Sequence, residues 1–301
     1  MQGRPQSKSV NVRLNTVYIL MGIPALMIIF IFIILPVIYN IVVSFTNFSL
    51  RTSNLNIVGF TNYQEFLGNE NTPLILKNTF IYTFGVVIFQ FLFGFIAAMI
   101  MNYIGKGRGF FSAILFMPWV VSQVLAVTAW KLLFQDSYGL VNLFLKTIGQ
   151  NPKGWLSDPS IVLYVVMMLN IWAGYGFTMT LMLSALKSVP TELYEAARVD
   201  GAGWWKSLFR ITLPMIVYSV ATNIILITIY TFNVFAYVFA LTNGGPLFYT
   251  EVLGLTMYKA AFVSGRLGYG ASIAVMMILV NLVMALIYFR VFRATNSDEM
   301  I

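Results

Sequence analysis

The sequence contains six long stretches without a charged residue, and these constrain the fold more than any other feature. A transmembrane helix needs about 20 largely apolar residues to cross a bilayer, whereas a membrane barrel shows segments of about 10 residues with alternating polarity. The pattern therefore predicts an all-α, polytopic membrane protein with six transmembrane helices. The uncharged stretches are residues 14 to 50, 78 to 105, 109 to 130, 159 to 186, 211 to 250 and 267 to 289.

Two of these stretches need a closer interpretation. The fifth spans 40 residues and could nearly hold a helical hairpin, but its end, Thr242 to Pro246, has the composition of a turn. We therefore expect one long helix after Pro214. The first span, near residues 17 to 44, is far longer than the apolar part of a secretory signal, so we expect it to be retained.

Composition excludes several classes of protein. Only 9% of the 301 residues are charged, against about 25% in an ordinary soluble domain. Histidine and cysteine are both absent, which excludes disulfides, Cys/His zinc sites, thiol nucleophiles and Ser-His-Asp triads. The net charge of +8 does not indicate nucleic-acid binding, because there is little water-exposed chain on which a basic face could form.

The distribution of basic residues predicts the orientation. With six helices, both termini lie on one side together with the second and fourth loops, and that side carries eleven Lys and Arg against six on the other. Since cytoplasmic loops are enriched in Lys and Arg, we expect both termini in the cytoplasm. The predicted organisation is a cytoplasmic segment 1–14, a six-helix domain 15–293 with a cytoplasmic loop 187–214, and a cytoplasmic tail 294–301. The eleven residues are Arg4, Lys8, Arg13, Lys106, Arg108, Lys187, Arg198, Lys206, Arg210, Arg290 and Arg293.

Loop 187–214 has the pattern of an amphipathic helix-turn-helix at the membrane surface. Pro190 suits a first helical turn, and Glu192 near that end complements the helix dipole. Gly201 is placed to adopt the left-handed conformation that ends a helix. The second helix carries apolar side chains at helical spacing, namely Trp204, Leu208 and Ile211.

Physical reasoning leaves two interpretations of this loop open. It could be a surface-lying linker anchored by Trp204 and Trp205. It could instead be a docking element, because the small side chains of Ala196 and Ala197 form a flat patch beside Glu195 that would fit a groove on a partner.

The same loop resembles the EAA coupling motif of binding-protein-dependent ABC importer permeases. That motif has Glu-Ala-Ala, three further residues and then Gly, leading towards Leu-Pro. The chain departs from it at Tyr218, where many members carry a second proline, and this puts the local bend of the fifth span in doubt. The matching residues are Glu195, Ala196, Ala197, Gly201, Leu213 and Pro214, with Asp200 and Ala202 completing the Asp-Gly-Ala of the carbohydrate branch.

The resemblance covers the chain from about residue 15 to residue 293. It implies the type I ABC importer permease fold, and within it the first subunit of a sugar permease pair. The other matching segments are Val58 to Tyr63, Asn78-Thr79, Met117-Pro118, Trp130, Asn243 to Pro246, Tyr258, Ala261-Phe262 and Gly268 to Ser272.

The resemblance also implies partners and a location. The partners are a second, homologous permease, two copies of an ABC ATPase and an extracytoplasmic sugar-binding protein, assembled in a bacterial-type inner membrane. ATP and Mg would be used by the ATPase subunits, with no cofactor bound by this chain, which has no phosphate-cradling motif. Glu195 would pair with a cationic group of the ATPase. Leu213 and Pro214 would transmit the displacement of the loop, driven by the ATPase, into the fifth span.

Uncharged polar residues within the spans are candidates for the substrate pathway. Sugars are bound by amides, hydroxyls and aromatic faces, so a polar stripe in the fifth span is a candidate lining. The same residues could instead hold helices together or belong to the aromatic belt. The candidates are Asn170 and Tyr175 in the fourth span, and Asn223, Tyr230, Asn233 and Tyr237, which we expect along one stripe of the fifth.

Three functional classes compete at this point. An ABC importer permease needs ATPase partners, whereas a secondary carrier or channel transports alone and a membrane enzyme turns over a substrate. A proton- or sodium-coupled carrier usually keeps an ionisable group inside the membrane, and the span centres here have none. Paired carboxylates for acid-base chemistry are also missing from the spans, which makes the enzyme the weakest candidate.

Overall fold

The computed structural model describes residues 22–51 and 55–297, and in these ranges the regular structure is helical apart from an isolated bridge between Thr46 and Ile57. This confirms the predicted all-α class. The helices are α1 (Gly22–Ser44), α2 (Thr61–Leu67), α3 (Thr72–Tyr103), α4 (Arg108–Val120), α5 (Gln123–Leu133), α6 (Leu140–Thr147), α7 (Val162–Lys187), α8 (Thr191–Val199), α9 (Trp204–Met215), α10 (Val217–Phe232), α11 (Ala236–Thr242), α12 (Leu253–Val263) and α13 (Leu267–Ser297).

Four described helices are long and apolar enough to cross a membrane unbroken: α1, α3, α7 and the Leu267–Arg290 part of α13. Two further candidates are bent pairs, since α4 meets α5 at 91° and α9 meets α10 at 72°. The described chain therefore accommodates the six predicted spans when each bent pair counts as one.

The third and fifth spans are not the single helices expected from the sequence. Pro118 lies near the end of α4, which stops at Val120 before the chain turns into α5. A proline removes one helical hydrogen bond and crowds the preceding turn, so the helix is weakened at this point. The expectation of one long helix after Pro214 was wrong, because the chain bends at Ile216 and three residues separate the end of α10 at Phe232 from the start of α11 at Ala236.

Two helices contain a π-helical turn that ends two positions before a proline. Phe30–Ile34 of α1 precede Pro36, and Leu208–Thr212 of α9 precede Pro214. Since a proline has no N–H to donate to the carbonyl one turn earlier, the regular ladder is interrupted there, and a wider turn is a common local adjustment.

Helices α3 and α7 form the most extensive pair of the fold and run parallel. A Cβ atom on Gly94 would lie 2.5 Å from Cβ of Thr178, so only glycine allows this close approach of the two backbones. The Gln90 side chain donates from Nε2 to the carbonyl of Gly174 at 3.2 Å. The pair is thus joined by close packing and by a buried polar contact.

The parallel pair defines two ends of the molecule. We call the end where α3 and α7 begin, at Thr72 and Val162, the far end, and the end where they finish, at Tyr103 and Lys187, the loop end. The chain after α1 meets the start of α13, where the N–H of Gly268 donates to the carbonyl of Phe48 at 2.8 Å. Both lie at the far end, because Ile75 near the start of α3 and Ile273 of α13 belong to one buried apolar cluster. Buried apolar clusters fill both ends.

Loop 187–214 therefore lies at the same end as the described start of α1 and the later part of α13. The relative placement agrees with the predicted topology, while the assignment of the loop end to the cytoplasm stays a prediction. The expected segment 1–14, with Arg4, Lys8 and Arg13, and residues 298–301 of the expected tail lie outside the described residues.

Candidate functional site

The loop that carries the Glu-Ala-Ala sequence folds into helix α8 with a defined stop. Gly201 has φ +71°, the left-handed conformation predicted from the sequence. The N–H of Ala202 donates to the carbonyl of Ala197 at 2.8 Å, and the N–H of Gly201 donates to that of Arg198 at 3.1 Å. This pair of hydrogen bonds is a Schellman motif, which satisfies carbonyls that the helix end leaves free and fixes the direction in which the chain continues.

Helix α8 buries none of its side chains. Glu195 and Ala196 are exposed, and Val199 is 88% exposed. Within the part of the chain that the structure describes, the Glu195 side chain takes part in no hydrogen bond or ion pair. The Glu-Ala-Ala segment is therefore a projecting ridge whose carboxylate is available to a group outside this chain.

The opposite side of α8 is attached to the helix that follows it. The hydroxyl groups of Tyr194 and Thr212 lie 2.8 Å apart and share a hydrogen bond. Thr212 belongs to the π turn of α9 and is 5% exposed, while the neighbouring Leu208 packs into the apolar cluster at the loop end. Helix α8 is thus attached through α9 to the apolar cluster formed by the ends of α3 and α7.

The predicted apolar face of the second loop helix is only partly correct. Leu208 is buried and Ile211 is half-buried, but Trp204 is 44% exposed. Trp204 is the first residue of α9, and the π turn at Leu208–Thr212 changes the helical spacing only after Leu208. Leu213 is half-buried and Pro214 exposed, close to the bend at Ile216.

The structure contradicts the predicted stripe in the fifth span. Asn223 is 0% exposed and Tyr237 is 5% exposed, whereas Tyr230 is 44% exposed and Asn233 is also exposed. The break after Phe232 places Tyr237 on a separate helix, so a single helical repeat does not relate the four residues.

Two members of that set belong to an exposed polar cluster that sequence reasoning did not assemble. Gln123 donates from Nε2 to the hydroxyl of Tyr230 at 3.2 Å. The side chains of Asn233 and Asn281 exchange amide hydrogen bonds of 3.1 and 3.4 Å. The ring of Trp119 lies 6.2 Å from that of Tyr230. We call these five residues the amide cluster; it offers neutral donors, acceptors and an aromatic face.

The two candidates in the fourth span lie in different surroundings. Asn170 is 1% exposed and faces the hydroxyl of Tyr82, although its Nδ2 atom has no partner of hydrogen-bonding geometry among the described residues. Tyr175 is half-buried and lines an apolar cavity of about 440 Å³ with Trp130 and Trp172. The structure therefore does not bring these two residues together.

The far end contains a buried ion pair that the sequence analysis missed. The carboxylate of Glu251, 3% exposed, accepts from Nζ of Lys259 at 2.7 Å, and Lys259 also donates to the carbonyl of Asn243. Gly244, at φ +85°, packs directly on this carboxylate. The side chain of Asn78 ties the same segment to α3 by donating to the carbonyl of Phe248 at 2.8 Å. The Asn-Gly-Gly-Pro turn and the segment after it are thus anchored to α3 and α12 by polar contacts.

A second ion pair joins α2 to the start of α13. Nη1 of Arg266 donates to Oε1 of Glu65 at 2.6 Å, and the guanidinium lies 4.4 Å from the ring of Tyr269. The hydrogen bond from Arg266 lowers the pKa of the Glu65 carboxyl below its ordinary value.

Comparison with known proteins identifies a family and relatives. The family described as binding-protein-dependent transport system inner membrane component matches residues 90–297. A probable ABC transporter permease protein of Pyrococcus horikoshii is 30% identical, over 90% of this chain and 93% of that protein. The trehalose/maltose transport system permease protein MalF of Thermococcus litoralis is 31% identical, over 91% and 92%. A solved bacterial ABC transporter involved in the import of the acidic polysaccharide alginate superposes with a TM-score of 0.81 at 25% identity, covering 94% of this chain and 97% of that one.

Proposed function

The chain belongs to the family of binding-protein-dependent transport system inner membrane components, and from that premise we propose that it imports a sugar with energy supplied by separate ATPase subunits. It is a membrane-spanning permease subunit of a binding-protein-dependent importer. The similarity to a trehalose/maltose permease and to an alginate importer supports a carbohydrate as the cargo class.

The observation that carries the proposal is the form of loop 187–214. Helix α8 projects with Glu195 unpaired, and the Schellman turn and the Tyr194–Thr212 hydrogen bond hold it firmly to the transmembrane helices. In this proposal, the carboxylate pairs with a cationic group in a groove of the ATPase, and Ala196 and Ala197 allow close approach. Asp200 and Gly201 set the turn, and Leu213 and Pro214 transmit the displacement into α10. Such coupling is a rigid-body transition between two states of the transporter.

The remaining partners follow from the same proposal. A second, homologous permease completes the translocation pathway as a heterodimer, two ATPase copies bind at the loop end and use ATP and Mg, and an extracytoplasmic sugar-binding protein delivers the cargo. The loop end and both termini then face the cytoplasm, with the protein in the inner membrane. The chain itself binds no cofactor in this arrangement.

For the substrate pathway, the amide cluster replaces the predicted stripe. It retains Tyr230 and Asn233 from the original candidates and leaves Asn170, Asn223 and Tyr237 as interior residues, with Tyr175 in the apolar cavity. Neutral amides, a hydroxyl and an indole suit the hydroxyl groups and apolar face of an uncharged sugar. A phosphorylated sugar would call for Arg or Lys at this position.

The experiment is a mild-detergent affinity purification of the chain from its native membrane, with mass spectrometry of the bound subunits. We expect the wild-type chain to retain a second permease and an ATPase, and Glu195→Lys to retain the permease but lose the ATPase. Glu192→Lys is the matched control, since it makes the same charge change one turn earlier on α8. Retention of the ATPase by Glu195→Lys would contradict the proposed coupling role.

A secondary carrier or channel is the alternative function. It predicts that the chain is recovered alone and transports after reconstitution without ATP. That pair of results would replace the importer proposal, whereas transport that requires both ATP and the co-purified ATPase would support it.

A further inference from the structure

A cavity of about 530 Å³ opens at the loop end between α8 and the ends of α3 and α7. Arg198 of α8 and Asn102 and Tyr103 of α3 line it, together with Trp204 and Ser207 of α9. The residues that bind the proposed ATPase lie on the exposed ridge of α8, whereas this cavity lies behind α8. Its lining includes none of Glu195, Ala196 and Ala197.

The cavity has an uncompensated positive charge. Arg198 is the charged side chain that lines it, no Asp or Glu lines it, and within the described ranges Arg198 forms no ion pair. A second guanidinium lies next to the lining, because Arg108 donates to the carbonyls of Asn102 at 3.1 Å and Ile104 at 2.8 Å. These bonds also cover carbonyls at the end of α3 that would otherwise repel an anion.

The position of the cavity favours a lipid headgroup as the source of an anion that would bind there. It lies where two helices long and apolar enough to span a membrane finish, so we expect it at the level of the lipid headgroups. Tyr103 and Trp204 are 74% and 44% exposed there, as expected for amphipathic aromatic side chains at a membrane surface. Met99 and Leu186 supply an apolar floor against which an acyl chain could lie.

From these observations we infer that the cavity binds a phosphate-bearing anion, supplied by the headgroup of an anionic phospholipid. The Arg198 guanidinium forms charge-assisted hydrogen bonds to the phosphate oxygens, and the Asn102 amide and Ser207 hydroxyl complete the contacts. The bound lipid then bridges α8 and the end of α3. This binding does not depend on the proposed function, because a phosphate would occupy the cavity whether or not α8 docks on an ATPase.

The test uses the assembled transporter, reconstituted in mixtures of phosphatidylcholine and phosphatidylglycerol and then analysed by native mass spectrometry. We expect the wild-type complex to retain phosphatidylglycerol and Arg198→Gln to lose about tenfold in occupancy. Arg210→Gln is the matched control, since it removes an exposed guanidinium of α9 that does not line the cavity, and it should retain the lipid. Asn102→Ala is a second variant that reports on the site if Arg198→Gln fails to assemble.

A soluble arm separates the two sources of phosphate. Glycerol 3-phosphate is titrated calorimetrically into the delipidated complex. If the probe binds to wild type but not to Arg198→Gln, and no lipid is retained, the cavity is a phosphate site whose ligand is a soluble phosphate ester and not a lipid. Equal lipid retention in all variants, with no binding of the probe, would overturn the inference. Loss of the ATPase from Arg198→Gln without a change in lipid would also overturn it, because Arg198 would then pair with a carboxylate of that partner.

Discussion

The far end and the loop end of the α3–α7 pair differ in how they satisfy their charges. At the far end, Glu251 pairs with Lys259 and Glu65 pairs with Arg266. At the loop end, Glu195 and Arg198 have no ionic partner in the described chain, and α8 buries no side chain. Both ion pairs of the described residues thus lie at the far end, whereas Glu195 and Arg198 at the loop end keep their charges available to molecules outside the chain.

The largest expected effect is the loss of thermal stability when the buried ion pair at the far end is removed. Lys259→Met leaves the 3% exposed carboxylate of Glu251 without a cation, and an uncompensated buried charge costs about 3 kcal/mol. We expect a clear drop in the thermal midpoint of the purified transporter. Lys146→Met, an exposed lysine of α6, is the control and should leave the midpoint unchanged. Adding Glu251→Leu to the first variant should restore part of the loss, and equal midpoints for all variants would show that the pair is not structural.

The next effect concerns the turn that orients α8. Gly201→Val places a β-branched residue at φ +71°, which costs about 1–2 kcal/mol, and no neighbouring atom would touch the new Cβ. We therefore expect local opening of the loop, measured as roughly tenfold faster trypsin cleavage after Arg198, with little change in the thermal midpoint. Gly201→Asn should be much milder, since asparagine tolerates this conformation. A cleavage rate equal to wild type in the valine variant would contradict the role of the turn.

A smaller effect is expected at the link between α8 and α9. Tyr194→Phe removes the 2.8 Å hydrogen bond to Thr212, worth about 1 kcal/mol. Hydrogen exchange of the α8 amides should increase severalfold while that of α2 and α12 stays the same. Tyr138→Phe, whose side chain is 63% exposed, serves as the control. Faster hydrogen exchange in α2 and α12 as well as in α8 would mean that this hydrogen bond does not stabilise the loop end alone.

The smallest effect should come from pH at the far end. Because the folded protein has a lowered pKa for Glu65, its pair with Arg266 stabilises the protein above the ordinary value of 4.5 and loses this contribution as pH falls through the folded pKa. Both partners are 45% exposed, so the effect should stay below about 1 kcal/mol. Thermal midpoints from pH 7 to pH 3 should fall slightly less in Glu65→Gln than in wild type. An identical fall would show that the pair contributes nothing.

Features that depend on local sequence were predictable. Charge-free stretches are a direct consequence of crossing a bilayer, and they located the six candidate spans. Gly201 could be placed in a left-handed turn because few other residues adopt that conformation at the end of a helix. The projecting Glu195 ridge follows from the same local pattern.

Features that depend on packing between distant segments were not predictable. The stripe through Asn223 and Tyr237 failed because the break after Phe232 is set by how α10 and α11 pack, and helical spacing does not continue across it. The hydrogen bond between Gln123 and Tyr230 depends on the 91° bend between α4 and α5, which the sequence did not indicate. Glu251 and Lys259 meet only once the turn between α11 and α12 has folded.

The hydrogen bond between Gln90 and Gly174 has a consequence for how the protein is made. The two residues are 84 positions apart, so α3 is synthesised and can enter the bilayer well before α7 exists. During that interval the Gln90 amide lacks its native acceptor in a medium that provides few others. A nascent chain that stops before residue 174 therefore lacks the native acceptor of this amide, and the buried contact between α3 and α7 forms only after the fourth span has been made.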